Sequence, residues 1–374
     1  MKTLLVTNDF PPRPGGIQQF VHNLALRQPT GSLVVYASRW PARDPSRWAK
    51  FDAEQPFEVV RESTGVLLPT PRIARRAAEL ARAHDCDTVW FGAAAPLGLL
   101  ADGLRRRAGV ERAIAQTHGH EVGWAALPGA RAMLKRIGKG VDVATYLSEY
   151  QRVRLAPVLP NLERLTPGVD TETFHPCVDG QEVRKRYGLS DRPVVVCVSR
   201  LVPRKGQDAL IRALPAIRRR VPGAALLIVS GGPDRKRLHR LAASAGVAEH
   251  VVFTGSVPWG DLPAHYAAGD VYAMPCRTRR RGLDVEGLGI VYLEASATGL
   301  PVLAGDSGGA PDAVQEGETG YVVDGRDVAA IADRLTRLLQ DRDLAARMGA
   351  AGRAWVEENW RWETQAERLG NLLR

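Results

Sequence analysis

Two glutamates near the end of the chain lie among glycines and apolar residues. Glu286 and Glu294 belong to the stretch DVEGLGIVYLE, residues 284–294. Gly287 and Gly289 predict a turn before a short helix. Eight helical residues span about 12 Å, whereas the paired carboxylates of glycoside hydrolases lie about 5 to 9.5 Å apart. We therefore expect the two carboxylates to hold different parts of one long ligand; a structural bond to nearby backbone is the alternative for Glu294.

A cationic loop precedes this stretch in the same half of the chain. In VSRLVPRKGQD, Arg200 and Lys205 follow a predicted strand. An arginine fork and a lysine point charge at one strand end suit a diphosphate. Arg204 is a third candidate. Without the neighbouring motifs, a pair of solvated loop cations would be the better interpretation.

Two stretches of the first half also follow predicted strands. Gly15 and Gly16, in NDFPPRPGGIQQF, precede a helix and offer backbone amides to a phosphate, although a plain turn is the alternative. His118, in AQTHGHEVGW, can contact a substrate through its ring or its carbonyl. His118 and His120 are two residues apart and have no further clear ligand, so we expect no metal site.

These residues need strand ends to position them. Strands are predicted in KTLLVTN, SLVVYAS, DTVWFG and RAIAQTH, and again in RPVVVCVSR, AALLIVSGG, HVVFTG, DVYAMP and LPVLAG. Helical patterns alternate with them in two blocks. The prediction is an α/β protein with two Rossmann-like, doubly wound parallel sheets facing a deep cleft. The first domain comprises residues 1–170, with a helix at 355–374 packing back onto it, and the second comprises residues 171–354.

Composition limits the classes of protein and partner. The net charge is +10, and residues 1–170 contribute +7 of it, from 23 Lys and Arg against 16 Asp and Glu. A basic half indicates an anionic partner, although a solvated surface is an equal alternative. The four cysteines are scattered and indicate a reducing compartment. MKTLLVTNDF predicts a strand rather than a signal peptide, and no apolar run reaches the roughly 18 residues of a membrane span.

Several stretches together resemble a known family. The E-x7-E pattern, the R-x4-K loop and the N-terminal Gly-Gly loop resemble the retaining glycosyltransferases of family 4, which have the GT-B fold. VTNDFPPRPGGIQ, VWFGAAAPL, THGHEVGW, SRLVPRKGQD, GLDVEGLGIVYLEA and SGGAP are similar to the phosphatidylinositol mannoside mannosyltransferases. Among these they most resemble the enzymes that add a second, α-1,6-linked mannose to phosphatidylinositol monomannoside. The likeness extends over nearly the whole chain.

The resemblance implies a role for each candidate residue. Glu294 is expected to bind the nucleotide ribose and Glu286 the mannose hydroxyls, while Arg200 and Lys205 hold the diphosphate and stabilise the leaving group. The predicted catalytic residues are His118, Arg200, Lys205 and Glu286. The predicted donor contacts are Gly15, Gly16, Arg200, Lys205, Ser256, Val257, Glu286, Gly287, Leu288, Gly289, Ile290 and Glu294.

The acceptor is expected on the first domain, at Asp9, Gln18 and His118, with the His118 carbonyl near the reacting carbon. The sequence departs from the family pattern at two places. Pro14, in PRPGG, only stiffens its turn. Arg280 and Arg281 stand where glycines are expected, which puts the flexibility and the phosphate contacts of that loop in question. The effect of these arginines keeps a nucleotide-sugar-binding protein without activity as an alternative.

The reaction implied is transfer of mannose from GDP-mannose to a phosphatidylinositol mannoside with retention, without a metal or cofactor. Another family 4 transferase with a different donor or a small acceptor is the alternative. A nucleic-acid-binding protein is indicated only by a pI of 9.7, because the basic residues are dispersed and no recognition motif appears.

The basic first half also predicts a membrane contact. RIARRAAELARAH places Arg72, Arg75, Arg76 and Arg82 on one side of a helix, and RAMLKRIGKG adds Arg131, Lys135, Arg136 and Lys139. Such a surface suits anionic lipid, so we expect a cytoplasmic protein attached peripherally to the inner face of the cell membrane. An ordinary surface helix is the alternative.

Overall fold

Alternating apolar strands and helices build two α/β units. The computed structural model describes residues 1–39 and 46–374, without the side chains of residues 46, 47 and 281. One unit comprises Met1–Gly168 with Trp362–Arg374, and the other comprises Val169–Arg361. Each has a parallel sheet with helices between successive strands.

The first unit contains a sheet that has seven strands among the described residues, in the order β3-β2-β1-β4-β5-β6-β7. Its strands are β1 (Thr3–Thr7), β2 (Leu33–Ser38), β3 (Glu58–Glu62), β4 (Thr88–Phe91), β5 (Arg112–Gln116), β6 (Val143–Tyr146) and β7 (Leu162–Arg164). The helices between them are α1 (Gly16–Leu26), α2 (Ser46–Ala53), α3 (Pro71–Ala83), α4 (Ala101–Ala108), α5 (Glu121–Ala125), α6 (Pro128–Gly140) and α7 (Glu149–Leu155).

Both faces of this first sheet are covered. Leu4 and Val6 of β1 pack in one apolar cluster, with α3, α4 and α6, while Leu5 packs in the other, with α1. All three side chains are fully buried. A strand buried on both faces needs a continuous apolar run, and this is the pattern that predicted β1.

The second unit contains a parallel sheet in the order β10-β9-β8-β11-β12-β13, again counting described residues only. Its strands are β8 (Val194–Val198), β9 (Ala225–Val229), β10 (Val251–Gly255), β11 (Val271–Met274), β12 (Val302–Gly305) and β13 (Gly320–Val323). Its helices are α8 (Gln181–Arg186), α9 (Gln207–Arg220), α10 (Arg235–Ser244), α11 (Leu262–Ala267), α12 (Ile290–Ala297), α13 (Val328–Gln340) and α14 (Arg342–Asn359).

The C-terminal helix α15 (Trp362–Leu373) belongs to the first unit. The predicted boundaries of this returning segment and of the joint are therefore corrected. The return begins at Trp362 rather than at residue 355, because Trp355 and Trp360 pack with the core of the second unit and Trp362 packs with the first. The joint falls between Gly168 and Val169, two residues before the predicted boundary.

Candidate active site

The cationic loop of the second unit follows β8, as the sequence predicts. Arg200 is exposed at the end of the strand, and Pro203–Lys205 form a short 3-10 turn. Gly206, at a φ of 80°, then starts α9, and a Cβ atom there would lie 2.0 Å from the Pro275 carbonyl oxygen. The loop thus abuts the chain that leaves β11, and only glycine permits this approach.

Lys205 and Glu286 form a buried ion pair. Lys205 Nζ lies 2.7 Å from Glu286 Oε2, and Arg204 Nε lies 3.7 Å from the same oxygen. Lys205 is 9% exposed and Glu286 is 6% exposed. Glu286 Oε2 and Arg204 Nε are both buried without a hydrogen bond of good geometry. Because buried polar atoms are rarely left unsatisfied, this pair is suited to receive polar groups of a ligand.

The backbone of Glu286 is held by the loop after β12. The Glu286 N–H donates to Ser307 Oγ at 3.3 Å, and its carbonyl accepts from the Gly309 N–H at 2.9 Å. Between them Gly308 has a φ of 59°, and a Cβ atom on it would lie 2.0 Å from the Glu286 carbonyl oxygen. The glycine therefore allows the loop after β12 to pack against the backbone of Glu286 and helps to fix its position.

Glu294 has different surroundings. It lies on α12, whose N-terminal residue follows Gly289 at a φ of 82°. Its Oε2 accepts a 2.6 Å hydrogen bond from the Tyr266 hydroxyl. Burial raises the pKa of Glu294 above its ordinary value, and the Tyr266 bond partly offsets this. That the two glutamates meet different parts of one ligand stays a prediction. Among the described residues, Glu286 pairs with Lys205 and Arg204, whereas Glu294 accepts from Tyr266.

The other predicted donor contacts lie at strand ends or in the connection to α12. Ser256 and Val257 follow β10, and a Cβ atom on Gly231 would lie 2.8 Å from Ser256 Oγ, so the ends of β9 and β10 are close together. Residues 287–289 connect Glu286 to α12, and Ile290 is the first residue of that helix. Leu288 and Gly289 are buried, whereas Gly287 and Ile290 are partly exposed. Their contact with a donor stays a prediction.

Sequence reasoning missed Asp284, Ser307 and Tyr266. Asp284 lies 3.6 Å from Arg204 and 3.5 Å from Arg279, which extends the charged network from Glu286 to the neighbouring turn. In that turn Arg280 is exposed and has a φ of 50°, a left-handed conformation that glycine adopts more easily. The predicted role of Arg281 lies outside the described side chains.

The first unit brings Asp9, Gln18 and Gly15 together at the end of β1. Gln18 Nε2 donates to Asp9 Oδ1 at 2.6 Å, and Arg13 Nη1 lies 3.7 Å from the same oxygen. A Cβ atom on Gly15 would lie 2.0 Å from Gln18 Oε1, whereas Gly16 is exposed with open space around it. Gln18 is therefore enclosed by its neighbours.

His118 follows β5, and its tautomer can be derived from its contacts. Its Nε2 lies 2.6 Å from the Gly92 carbonyl oxygen. A carbonyl only accepts hydrogen bonds, so Nε2 carries the proton. Burial lowers the pKa of His118, which keeps the ring neutral near pH 7. The ring therefore has Nδ1 as an acceptor, and the edge of Phe20 packs against it at 5.8 Å.

Neither a metal cluster nor a membrane-spanning helix is found in the part of the chain that the structure describes. Within residues 1–39 and 46–374, no group of three His, Cys, Asp or Glu side chains could hold a metal ion. Across the same ranges, no helix has both the length and the apolar composition that a membrane span requires.

The chain is similar to curated mannosyltransferases over its full length. It is 56% identical over 377 residues to the GDP-mannose-dependent alpha-(1-6)-phosphatidylinositol monomannoside mannosyltransferase of Mycolicibacterium smegmatis, covering 99% of this chain and 97% of that protein. It is 49% identical over 379 residues to the GDP-mannose-dependent monoacylated alpha-(1-6)-phosphatidylinositol monomannoside mannosyltransferase of Corynebacterium glutamicum, covering 100% and 98% of the two chains.

Two further comparisons concern the domain family and the fold. The family model of the group 1 glycosyl transferases matches residues 179–355, within the second unit. The crystal structure of Anabaena HepE in complex with UDP is 18% identical, with a TM-score of 0.81 and coverage of 100% of this chain and 99% of that one. This likeness, with the two parallel-sheet units, identifies the predicted GT-B fold. The chain therefore belongs to the group 1 glycosyltransferases.

Proposed function

We propose that this chain is a retaining mannosyltransferase that moves mannose from GDP-mannose to phosphatidylinositol monomannoside and forms the α-1,6-linked dimannoside. The observation that carries the proposal is the buried pair of Lys205 and Glu286, at 2.7 Å, in a chain 56% identical to a named enzyme of this activity. A buried ammonium beside a carboxylate offers a diphosphate and a sugar hydroxyl adjacent partners.

The second unit binds the donor. Lys205 has three N–H donors, so it can keep its ion pair with Glu286 and still donate to a diphosphate oxygen. Glu286 accepts from the mannose hydroxyls, and Arg200 adds an exposed fork for the diphosphate. Tyr266 occupies Glu294 Oε2, which leaves Oε1 for the ribose hydroxyls. The predicted contacts of Ser256, Val257 and residues 287–290 with the donor belong to the same proposal.

The main contribution to catalysis is electrostatic. Charge develops on the leaving diphosphate as the bond to the anomeric carbon breaks, and Arg200 and Lys205 stabilise that charge. The acceptor hydroxyl attacks the same face and gives its proton to the departing phosphate, so no separate base is required. The predicted contacts of Gly15 and Gly16 with the diphosphate, and of Asp9, Gln18 and His118 with the acceptor, belong to the same proposal.

The test is a transfer assay with purified protein, labelled GDP-mannose and phosphatidylinositol monomannoside in detergent. We expect labelled dimannoside from the wild type and at least about a 100-fold loss of kcat in Glu286→Ala, a typical loss for removing a group that stabilises the transition state. A chelator is expected to leave the rate unchanged, because the proposal includes no metal. Absence of dimannoside from the wild type would refute the assignment.

We also propose that the first unit attaches to an anionic membrane on its cytoplasmic face. Helix α3 buries Ile73, Ala77, Leu80 and Ala81 and exposes its arginines, while Lys135, Arg136 and Lys139 are exposed on α6. Exposed apolar side chains precede both helices, Val66 and Leu68 before α3 and Leu127 before α6. Cations beside exposed apolar residues are typical of a membrane-surface contact.

Vesicle flotation tests this attachment. The triple variant with Arg72, Arg75 and Arg76 changed to Glu is expected to bind phosphatidylglycerol-containing vesicles at least about 100-fold more weakly, because each cation contributes about 1 kcal/mol. The matched control changes Arg235, Lys236 and Arg240, which are exposed on helix α10 of the second unit. Equal loss in both variants, or no binding by the wild type, would contradict the proposed surface.

A further inference from the structure

Glu121 is a buried carboxylate that no motif assigns. It lies in the first turn of α5, directly after the His118–Gly119 turn, and it is fully buried. Its Oε2 accepts two backbone hydrogen bonds, from the N–H of His118 and the N–H of Gly119, each at 3.0 Å. In a capping box, a glutamate at the third helical position reaches back to the N–H of the N-cap residue, whereas Glu121 is the first residue of α5. Here the carboxylate reaches beyond His120, the N-cap, and holds two consecutive amides.

The other oxygen of Glu121 faces a histidine. Glu121 Oε1 lies 3.2 Å from His120 Nε2, and it is buried without a hydrogen bond of good geometry. Burying a carboxylate is costly unless it is hydrogen-bonded or paired with a cation, and the two amide hydrogen bonds to Oε2 provide this compensation. The carboxylate is therefore a fixed anchor beneath the turn.

The turn is held from other sides as well. The His118 ring donates to the Gly92 carbonyl at the end of β4. Gly119 has a φ of 105°, and a Cβ atom on it would lie 2.9 Å from Gln151 Nε2. Gln151 is itself fixed, because its Oε1 accepts from the Leu147 N–H at 3.0 Å. The ring of His118 is hydrogen-bonded to Gly92, and the amides of His118 and Gly119 are hydrogen-bonded to Glu121. These bonds together fix the orientation of the His118 carbonyl.

We propose that Glu121 is a positioning residue of the transfer reaction, whose buried carboxylate fixes the His118–Gly119 turn and thereby the direction of the His118 carbonyl and ring. The inference rests on the proposed function, in which His118 lies at the reacting centre. Glu121 acts only through the backbone of His118 and Gly119, so its removal affects the rate of transfer more than the binding of the donor.

The experiment compares Glu121→Leu with Glu121→Gln in the transfer assay. Leucine removes the acceptor, whereas glutamine keeps an oxygen of the same reach for both amides. A displacement of about 1 Å at a reacting group costs about 100-fold, so we expect Glu121→Leu to lower kcat about 100-fold, with the KM for GDP-mannose within about threefold. Glu121→Gln is expected to recover at least about tenfold of that loss.

The matched control is Asp142→Leu. Asp142 Oδ2 accepts from the Ala113 N–H at 2.7 Å and from Arg105 at 2.6 Å, so it is another carboxylate that anchors the backbone, at the opposite end of β5. Thermal unfolding of each variant reports the structural cost of its change. We expect Asp142→Leu to lose stability while its kcat stays within about threefold of the wild type.

Each outcome decides the inference. A folded Glu121→Leu with wild-type kcat, a loss confined to KM, or a Glu121→Gln as slow as Glu121→Leu would overturn it. If Glu121→Leu does not fold, Glu121→Asp replaces it: its shorter side chain no longer reaches the amides, so it should be slower than Glu121→Gln, and the reverse order would overturn the inference. A wild type that forms no dimannoside refutes the proposed function instead.

Discussion

Gly308→Ala tests whether the position of the Glu286 backbone controls the rate of mannose transfer. In the structure, a Cβ atom on Gly308 would lie 2.0 Å from the Glu286 carbonyl oxygen, and real Cβ atoms essentially never approach closer than 3.0 Å. Either the loop at Gly308 or the Glu286 backbone must therefore move by about 1 Å, and a displacement of this size costs about 100-fold in rate when it affects a reacting group. We expect kcat to fall by about this factor.

The same substitution also has a cost in folding free energy. At a φ of 59°, alanine pays about 1–2 kcal/mol for the left-handed conformation. Moving Glu286 also weakens the bond from the Gly309 N–H to its carbonyl, which contributes about 1 kcal/mol. The expected loss of about 2–3 kcal/mol corresponds to a decrease in Tm of about 5–10 °C for a unit of this size.

Gly317→Ala is the matched control for backbone strain. Gly317 has a φ of 78°, but a Cβ atom there meets nothing within 4 Å. This variant is expected to lose only about 1–2 kcal/mol of folding free energy, from the left-handed backbone conformation, and to retain its kcat. Calorimetry and the transfer assay measure the two quantities separately. If folded Gly308→Ala transfers mannose as fast as Gly317→Ala, the position of Glu286 does not control the rate and the reasoning is refuted.

Three further predictions concern individual charges. The folded-state pKa of Glu294 is raised above 4.5, so the stability of the protein decreases as the pH rises from 4.5 through the raised value. In thermal melts, Glu294→Gln should therefore be more stable than the wild type at about pH 7 and equal to it at about pH 4. The pKa of His118 is lowered from 6.5, so the folded protein loses stability as the pH falls below 6.5 and the ring binds a proton more readily in the unfolded chain. Nitrogen NMR should find the proton on Nε2 at neutral pH, and a ring that titrates at 6.5 would contradict this prediction. Lys205→Met should lose up to about 3–5 kcal/mol, because Glu286 loses its close cation and keeps Arg204 at 3.7 Å, and adding Glu286→Gln should restore stability but not activity.

Most of the strands that could be predicted from sequence are buried on both faces; the partly exposed edge strand β10, predicted in HVVFTG, is an exception. KTLLVTN and RPVVVCVSR are continuous apolar runs, and they form the central strands β1 and β8. The missed strands are short or polar. Strands β3 and β7 lie at the two edges of the first sheet, where a strand has one neighbour and keeps charged residues such as Glu58 and Arg164. Their periodicity is too brief to separate them from loops.

The site could be predicted only where chemistry is local in sequence. Lys205 and Glu286 have recognisable motifs, but their pairing depends on strand order: they follow β8 and β11, which are neighbours in the sheet. Ser307 follows β12, the next strand, and so reaches the Glu286 backbone. Tyr266 has no motif, since its role comes from a hydrogen bond to Glu294, a residue 28 positions away in the sequence. Partners that meet through the sheet leave no signal in the spacing of residues.

The different environments of the two glutamates follow from the elements that carry them. Glu286 lies in the connection after β11, and Lys205 lies in the loop after the neighbouring strand β8. The carboxylate of Glu286 therefore has a cation beside it. Glu294 lies one turn inside α12, and its carboxylate accepts a hydrogen bond from the neutral Tyr266 hydroxyl. A carboxylate paired with a cation can accept a hydrogen bond from a sugar hydroxyl beside a diphosphate. A carboxylate with a raised pKa is stabilised when a ligand supplies hydroxyl donors, so donor binding should lower the pKa of Glu294 and leave more of it ionised.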